Sequence, residues 1–193
     1  PAWYHNTPNI VNFDDPNEAQ NYSLGGLDDL AQENPDCWQA LMDAYWNPDT
    51  DSGWFSYGFA GSRVDAVIEI PPQYLALYEQ HTGKPSFGEA FTGSVDANAA
   101  FQNYMWGMLD FPLYFQMNKV FCKGEAWSGV KWALDQDDKY NDTNRLFTFL
   151  DNHDRSRFLA NAGDNWAKLR LALAFQYAVR GIPVVYYGTE QNM

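Results

Sequence analysis

The chain of 193 residues carries a net charge of −13, with 46% hydrophobic and 19% charged residues. That balance is globular and excludes a disordered chain. The negative charge disfavours nucleic acid and anionic membrane surfaces as partners and suits a neutral ligand held by hydrogen bonds and ring stacking. No stretch is long and apolar enough to span a bilayer, and no signal-peptide pattern is visible. Cys37 and Cys122 stand far apart in the sequence; they could form one disulfide, but two buried free thiols are at least as good a reading.

Residues 1–50 are rich in Asn, Asp, Pro and Gly and read as the end of a loop-rich subdomain, with 51–193 as a second division. Arg63 to Ile70, with its β-branched residues, predicts a buried strand. Pro71 and Pro72 follow, then a helical stretch over 73–81, and 85–91 reads as another strand. Gly107 to Phe111 predicts a third strand, leading into a helix that reaches about Cys122. The acidic run 135–142 reads as a solvated loop. Leu146 to Leu150 is an unbroken apolar strand. Asp164 or Asn165 caps a helix running to Arg180, whose Leu169, Ala172, Leu173, Gln176 and Tyr177 share a face. Gly181 ends it, Pro183 follows, and Ile182 to Tyr187 is a further apolar strand. Strand, helix and strand in this order form a βαβ unit, so the fold class is α/β with a parallel sheet.

Three of these strands end in carboxylates: Asp65, Glu89 and Asp154. Residues at the carboxyl ends of parallel strands line the active site in such folds. A pair of carboxyl groups, one a nucleophile and one a proton donor, is what glycoside hydrolysis requires. Arg63 and Asp65 lie two apart on one strand and so share a face. A guanidinium there keeps the carboxylate ionised and aimed, although a structural ion pair would look the same. Glu89 shares its face with Phe87 and Phe91, an apolar setting that raises a carboxyl pKa and readies it to donate a proton. Asn152, His153 and Asp154 are a poor core sequence and fit a binding rim. A single His flanked by acids is weak as a metal site.

These motifs together resemble the catalytic barrel of the α-amylase family of glycoside hydrolases. Gly61-Ser62-Arg63-Val64-Asp65-Ala66-Val67 is similar to the family's fourth-strand motif, Gly88-Glu89-Ala90-Phe91 to its fifth, and Phe149-Leu150-Asp151-Asn152-His153-Asp154 to its seventh. The stretch from Gly181 to Gln191 is similar to its eighth-strand segment. Leu27-Asp28-Asp29-Leu30 resembles a motif of the protruding loop domain. The resemblance implies a partial (β/α)8 TIM barrel, roughly strands four to eight, preceded by the end of an inserted calcium-binding loop domain. It implies Asp65 as nucleophile, Glu89 as general acid/base and Asp154 as stabiliser of the transition state. Arg63, His153, Phe91 and Glu69 are then candidate substrate contacts. Calcium would be held by Asp29 and by Glu69, through its backbone carbonyl.

On the same resemblance the partner is an α-glucan such as starch or a maltooligosaccharide. The whole enzyme is expected to be monomeric and secreted, acting by retention on α-1,4-glucosidic bonds. A cyclodextrin glucanotransferase or other transglycosylase is the alternative enzyme, and a non-catalytic amylase-like binding module the alternative of another class. Two departures bear on this. Ile68-Glu69 stands where many members have Lys-His, and Gly25-Gly26 replaces the aromatic ring of glucanotransferases.

Overall fold

A computed structural model describes residues 2–191 and 193. The chain divides into two compact units, 1–89 and 90–193. In the first, α1 (Pro16–Asn21) and α2 (Pro35–Tyr45) precede β1 (Ser62–Val64), α3 (Pro72–Thr82) and β2 (Ser86–Gly88). Asn34 caps α2 by accepting the N–H groups of Asp36 and Cys37, and Pro35 occupies the first turn, where its missing N–H costs nothing. α3 likewise starts on a proline and ends at Gly83 in the left-handed region. β1 and β2 are parallel, with Arg63 opposite Phe87 and Val64 opposite Gly88. Their outer face packs on helix side chains: Met42, Phe55 and Tyr78 form a buried cluster joined by Trp38, Leu41, Trp46 and Val64. The Tyr78 hydroxyl donates to Ser62 Oγ at 2.8 Å.

The second unit runs α4 (Val95–Phe101), β3 (Gly107–Leu109), α5 (Phe111–Met117), α6 (Ser128–Leu134), β4 (Leu146–Thr148), α7 (Phe158–Asn161), α8 (Trp166–Ala178) and β5 (Ile182–Pro183). A π-helical turn, Asn118–Cys122, extends α5. β3, β4 and β5 are parallel neighbours in that order, with Leu109 opposite Phe147 and Phe147 opposite Ile182. Gln176 of α8 is buried and donates to the carbonyls of Thr148 and Val184, tying the helix to both strands. Gly181 has φ +97°, and a Cβ there would lie 2.3 Å from the Leu146 carbonyl oxygen, so the turn into β5 requires glycine. The core gathers Leu113, Met117, Phe121, Leu150, Phe158 and Leu169 among others.

The structure corrects several sequence expectations. The strand expected over 63–70 stops at Val64. Ala66 takes a left-handed backbone, φ +48°, and Val67–Glu69 form a 3-10 turn. The first fifty residues contain two capped helices rather than loops alone. The acidic run 135–142 is solvated only in part: Asp135, Asp138 and Asn141 are exposed, but the Arg180 guanidinium bridges Asp137 (Nη2 to Oδ1, 2.7 Å) and the fully buried Asp110. Asp110 in turn caps α5 by accepting the Leu113 N–H. Tyr177 lies outside the core stripe of α8, exposed near its end, while Leu169, Ala172 and Gln176 are buried. Both cysteines are buried free thiols.

Candidate active site

In the first unit three side chains meet at the carboxyl ends of β1 and β2. Arg63 projects from the strand itself. Asp65 follows its last residue, and Glu89 follows the last residue of β2. The backbone couples these ends: Glu89 N–H donates to the Val64 carbonyl at 2.9 Å, and Val67 N–H donates to the Glu89 carbonyl at 3.0 Å. Arg63 reaches both carboxylates. Its Nη1 lies 2.9 Å from Asp65 Oδ1 and its Nη2 lies 3.3 Å from Glu89 Oε2. The second contact is an ion pair without hydrogen-bond alignment. The left-handed Ala66 turns the chain sharply after Asp65, and a non-glycine residue there stores of order 1–3 kcal/mol of strain, a feature that clusters at functional sites.

The two carboxyl groups occupy contrasting surroundings. The Asp65 side chain is 70% exposed and that of Glu89 7%. Burial, first of all, pushes the Glu89 pKa above the usual carboxyl value. A side-chain hydrogen bond with Asp65 and the charge of Asp65 push the same way, while the charge of Arg63 and the Ala66 N–H oppose them. A buried carboxyl with a raised pKa beside an accessible one is the contrast that a paired acid and nucleophile require. Glu69, half-buried on the 3-10 turn, is also raised, by burial and then by the charge of Asp65.

In the second unit, His153 and Asp154 follow β4 on a turn in which the Asp154 N–H donates to Asn152 Oδ1. His153 Nε2 lies 3.1 Å from Asp154 Oδ2, and both side chains are about half exposed. Phe91 is half exposed, with its ring against Phe111 and Phe115 and the Arg155 guanidinium over it.

Sequence reasoning missed two residues that hold this turn. Asp151 is buried and accepts from the Phe158 N–H (2.9 Å) and the Thr189 hydroxyl (3.0 Å), fixing both the start of α7 and the segment after β5. Arg155 donates from Nε to the Tyr114 hydroxyl at 3.0 Å. Phe149 and Asp151 share a strand face by their spacing of two. That was the one sequence signal for burying Asp151.

Asp29 stands apart from these carboxylates in its bonding. Its Oδ2 is 2.5 Å from His5 Nδ1, and His5 Nε2 lies 2.9 Å from Glu33 Oε1. Among the described residues no three His, Cys, Asp or Glu side chains gather as a metal-binding group. Calcium takes six to eight oxygens. The side chains here supply two carboxylates, Asp29 and Glu33, both engaged by the His5 imidazole, so the fit to a calcium site is incomplete. No helix among the described residues is long and apolar enough to cross a membrane.

Residues 79–193 match the family model described as alpha amylase, catalytic domain. The chain is 32% identical over 206 residues to the beta/alpha-amylase of Paenibacillus polymyxa, covering 98% of this chain and 16% of that protein. It is 36% identical over 179 residues to the cyclomaltodextrin glucanotransferase of Bacillus licheniformis, covering 86% of this chain and 24% of that one. The solved alpha-amylase of Geobacillus thermoleovorans, complexed with acarbose, superposes with a TM-score of 0.90 at 28% identity, over 100% of this chain and 45% of that structure. An Anoxybacillus alpha-amylase gives a TM-score of 0.91 at 27% identity, over 100% and 44%. The chain thus spans less than half the length of each of these relatives. Its motifs, its parallel α/β architecture and these matches agree: the chain belongs to the alpha-amylase catalytic-domain family.

Proposed function

We propose that the protein containing this chain is a retaining α-glucan hydrolase that cleaves α-1,4-glucosidic bonds of starch or maltooligosaccharides. The observation that carries this reading is the Arg63-bridged pair of carboxyl groups, one buried with a raised pKa and one accessible. Asp65 attacks the anomeric carbon, and Glu89 gives its proton to the leaving glycosidic oxygen. A glycosyl ester on Asp65 results. Glu89, now a carboxylate, takes a proton from the incoming water, whose oxygen displaces Asp65 and restores the starting configuration. Retention needs the two carboxyl groups about 5–5.5 Å apart, and inversion needs a wider gap that admits water between them. Arg63 contacting both carboxyl groups, at 2.9 Å and 3.3 Å, supports the closer arrangement. Arg63 orients Asp65 and limits how far the Glu89 pKa rises.

Asp154 and His153 take, on the family resemblance, the role of holding sugar hydroxyls and steadying the oxocarbenium-like transition state. Phe91 and Glu69 are proposed as further substrate contacts. The barrel strands four to eight, the loop-rich subdomain over 1–50 and a secreted, monomeric enzyme complete the proposal. Asp29 and the Glu69 carbonyl would contribute to a calcium site that ties the loop domain down, and no chemical step runs through that ion. A glucanotransferase relative at 36% identity favours a second reading, in which a sugar hydroxyl replaces water in the last step. Kinetics of Asp65→Asn and Glu89→Gln in the full-length protein on maltoheptaose, with product analysis, test both. Loss of activity in both variants supports the assignment, and wild-type turnover in either refutes it; linear products from the wild-type enzyme support hydrolysis, and cyclic or elongated ones support transfer.

A further inference from the structure

Residues 46–61 join α2 to β1 and enter that strand at its amino end, whereas Asp65 follows its carboxyl end. The segment is tightly built. Asn47 and Ser52 exchange backbone hydrogen bonds, and the Asn47 side chain accepts the N–H groups of Asp49 and Thr50. Gly53 has φ +95°, and a Cβ there would lie 2.8 Å from the Tyr45 backbone, so only glycine lets the loop rest against the end of α2. Trp54–Tyr57 then form one turn of 3-10 helix, closed by Gly58 in the left-handed region. Phe55 is buried against Met42 and Tyr78 and anchors the turn.

This construction holds two large rings out in water. Residues i and i+3 of a 3-10 helix eclipse one another, so Trp54 and Tyr57 stand on one side while Phe55 turns inward. Trp54 is 63% exposed and Tyr57 81%. Both line an open cavity of about 360 Å³ together with Asp51, Ser52 and Ser56. A flat aromatic surface rimmed by hydroxyls and one carboxylate matches a pyranose ring, which has apolar C–H faces and a hydroxyl edge. An apolar peptide would leave the Asp51 carboxylate desolvated and unpaired, and an anionic ligand would be repelled by it. The Ser56 hydroxyl donates to the Gly53 carbonyl and keeps its acceptor lone pairs for a ligand.

We propose that Trp54 and Tyr57 form a second carbohydrate platform, distinct from the Asp65 and Glu89 carboxylates, that binds a segment of α-glucan chain by ring stacking. The choice of α-glucan rests on the proposed function; the platform geometry does not. In the full-length enzyme, Trp54→Ala/Tyr57→Ala is expected to reduce adsorption to granular starch by roughly tenfold. Turnover of maltotriose and the Tm should stay at the wild-type level. Unchanged adsorption with unchanged Tm overturns the platform. So does a lower Tm in the double variant and in both Trp54→Phe and Tyr57→Phe, because the rings would then be structural. The conservative Trp54→Phe should keep most of the adsorption. Adsorption is read in an Asp65→Asn background as well, which separates binding from digestion. A wild-type enzyme that adsorbs starch but hydrolyses no α-glucan refutes the proposed function and leaves the platform standing. One that hydrolyses maltotriose with ring-independent adsorption does the reverse.

Discussion

Replacing Arg63 by Met should move the alkaline limb of the activity profile upward. The Arg63 charge favours the ionised form of Glu89, whose pKa burial already holds above the usual carboxyl value. Removing that charge makes the carboxylate less favourable, so Glu89 keeps its proton to higher pH. The contact is 3.3 Å long, with the Arg63 side chain 28% exposed and that of Glu89 7%. Unit charges at such range interact by about 1 kcal/mol in water and about 4 kcal/mol at the effective dielectric near a protein surface. Each pKa unit is about 1.4 kcal/mol, so the expected shift is about one to three units. The alkaline limb of kcat/KM reports the acid of the free enzyme. It should rise by that amount, while the plateau falls by roughly a hundredfold because Asp65 loses its orienting partner. Arg63→Lys should shift the limb less but still lose rate, because a single ammonium cannot span two carboxylates as a guanidinium fork does. The assay is initial-rate hydrolysis of maltoheptaose from pH 4 to 10. An alkaline limb that stays put or moves down in Arg63→Met would refute Glu89 as the proton donor.

Other perturbations probe the framework. Arg180→Met should cost about 3–5 kcal/mol in urea unfolding of the full-length protein, because it strands the fully buried Asp110 without its partner; a loss under about 1 kcal/mol would mean that Asp110 is neutral or reached by water. Burial pushes the Cys122 thiol up to about 11, so neither cysteine should react with iodoacetamide in the native state at pH 8 and both should react in guanidinium. Rapid native labelling would contradict their burial. Gly181→Ala should destabilise by more than about 1 kcal/mol in the same unfolding assay, since the added Cβ meets the Leu146 carbonyl in a left-handed backbone. An unchanged midpoint would show that the turn relaxes freely.

What the sequence disclosed was mostly local. Asn165 and the apolar stripe of α8 mark a helix whose cap the structure reproduces, because capping depends on neighbours in the chain; its end comes at Ala178, with Val179 already extended, two residues before the expected Arg180. The polar ends of short apolar runs picked out Asp65, Glu89 and Asp154. The bridge from Arg63 to Glu89 was not legible, because parallel register brings together residues 26 positions apart, and pattern alone does not fix register. The Asp110–Arg180–Asp137 network escaped for the same reason: its members are separated by 43 and 70 positions, and an acidic run looks solvated until a buried cation answers it. The overlong reading of β1 has a different origin. Val67, Ile68 and Ile70 are β-formers by composition, yet the left-handed Ala66 and the 3-10 turn override that propensity directly after Asp65. The exposed pair Trp54 and Tyr57 was invisible because 3-10 geometry, not strand or α-helical spacing, decides which ring faces water.

The most direct measurement is mass-spectrometric trapping of the covalent intermediate. Full-length Glu89→Gln enzyme, incubated with an activated fluorinated maltosyl donor and digested, should yield one peptide carrying the added sugar mass, with fragmentation placing it on Asp65. The amide that replaces the Glu89 carboxylate cannot act as base on the incoming water, so the ester accumulates. The same treatment of Asp65→Asn should yield no adduct. A modified residue other than Asp65, or complete turnover of the donor with the anomeric configuration inverted, would contradict the assignment of Asp65 and Glu89 as nucleophile and acid/base.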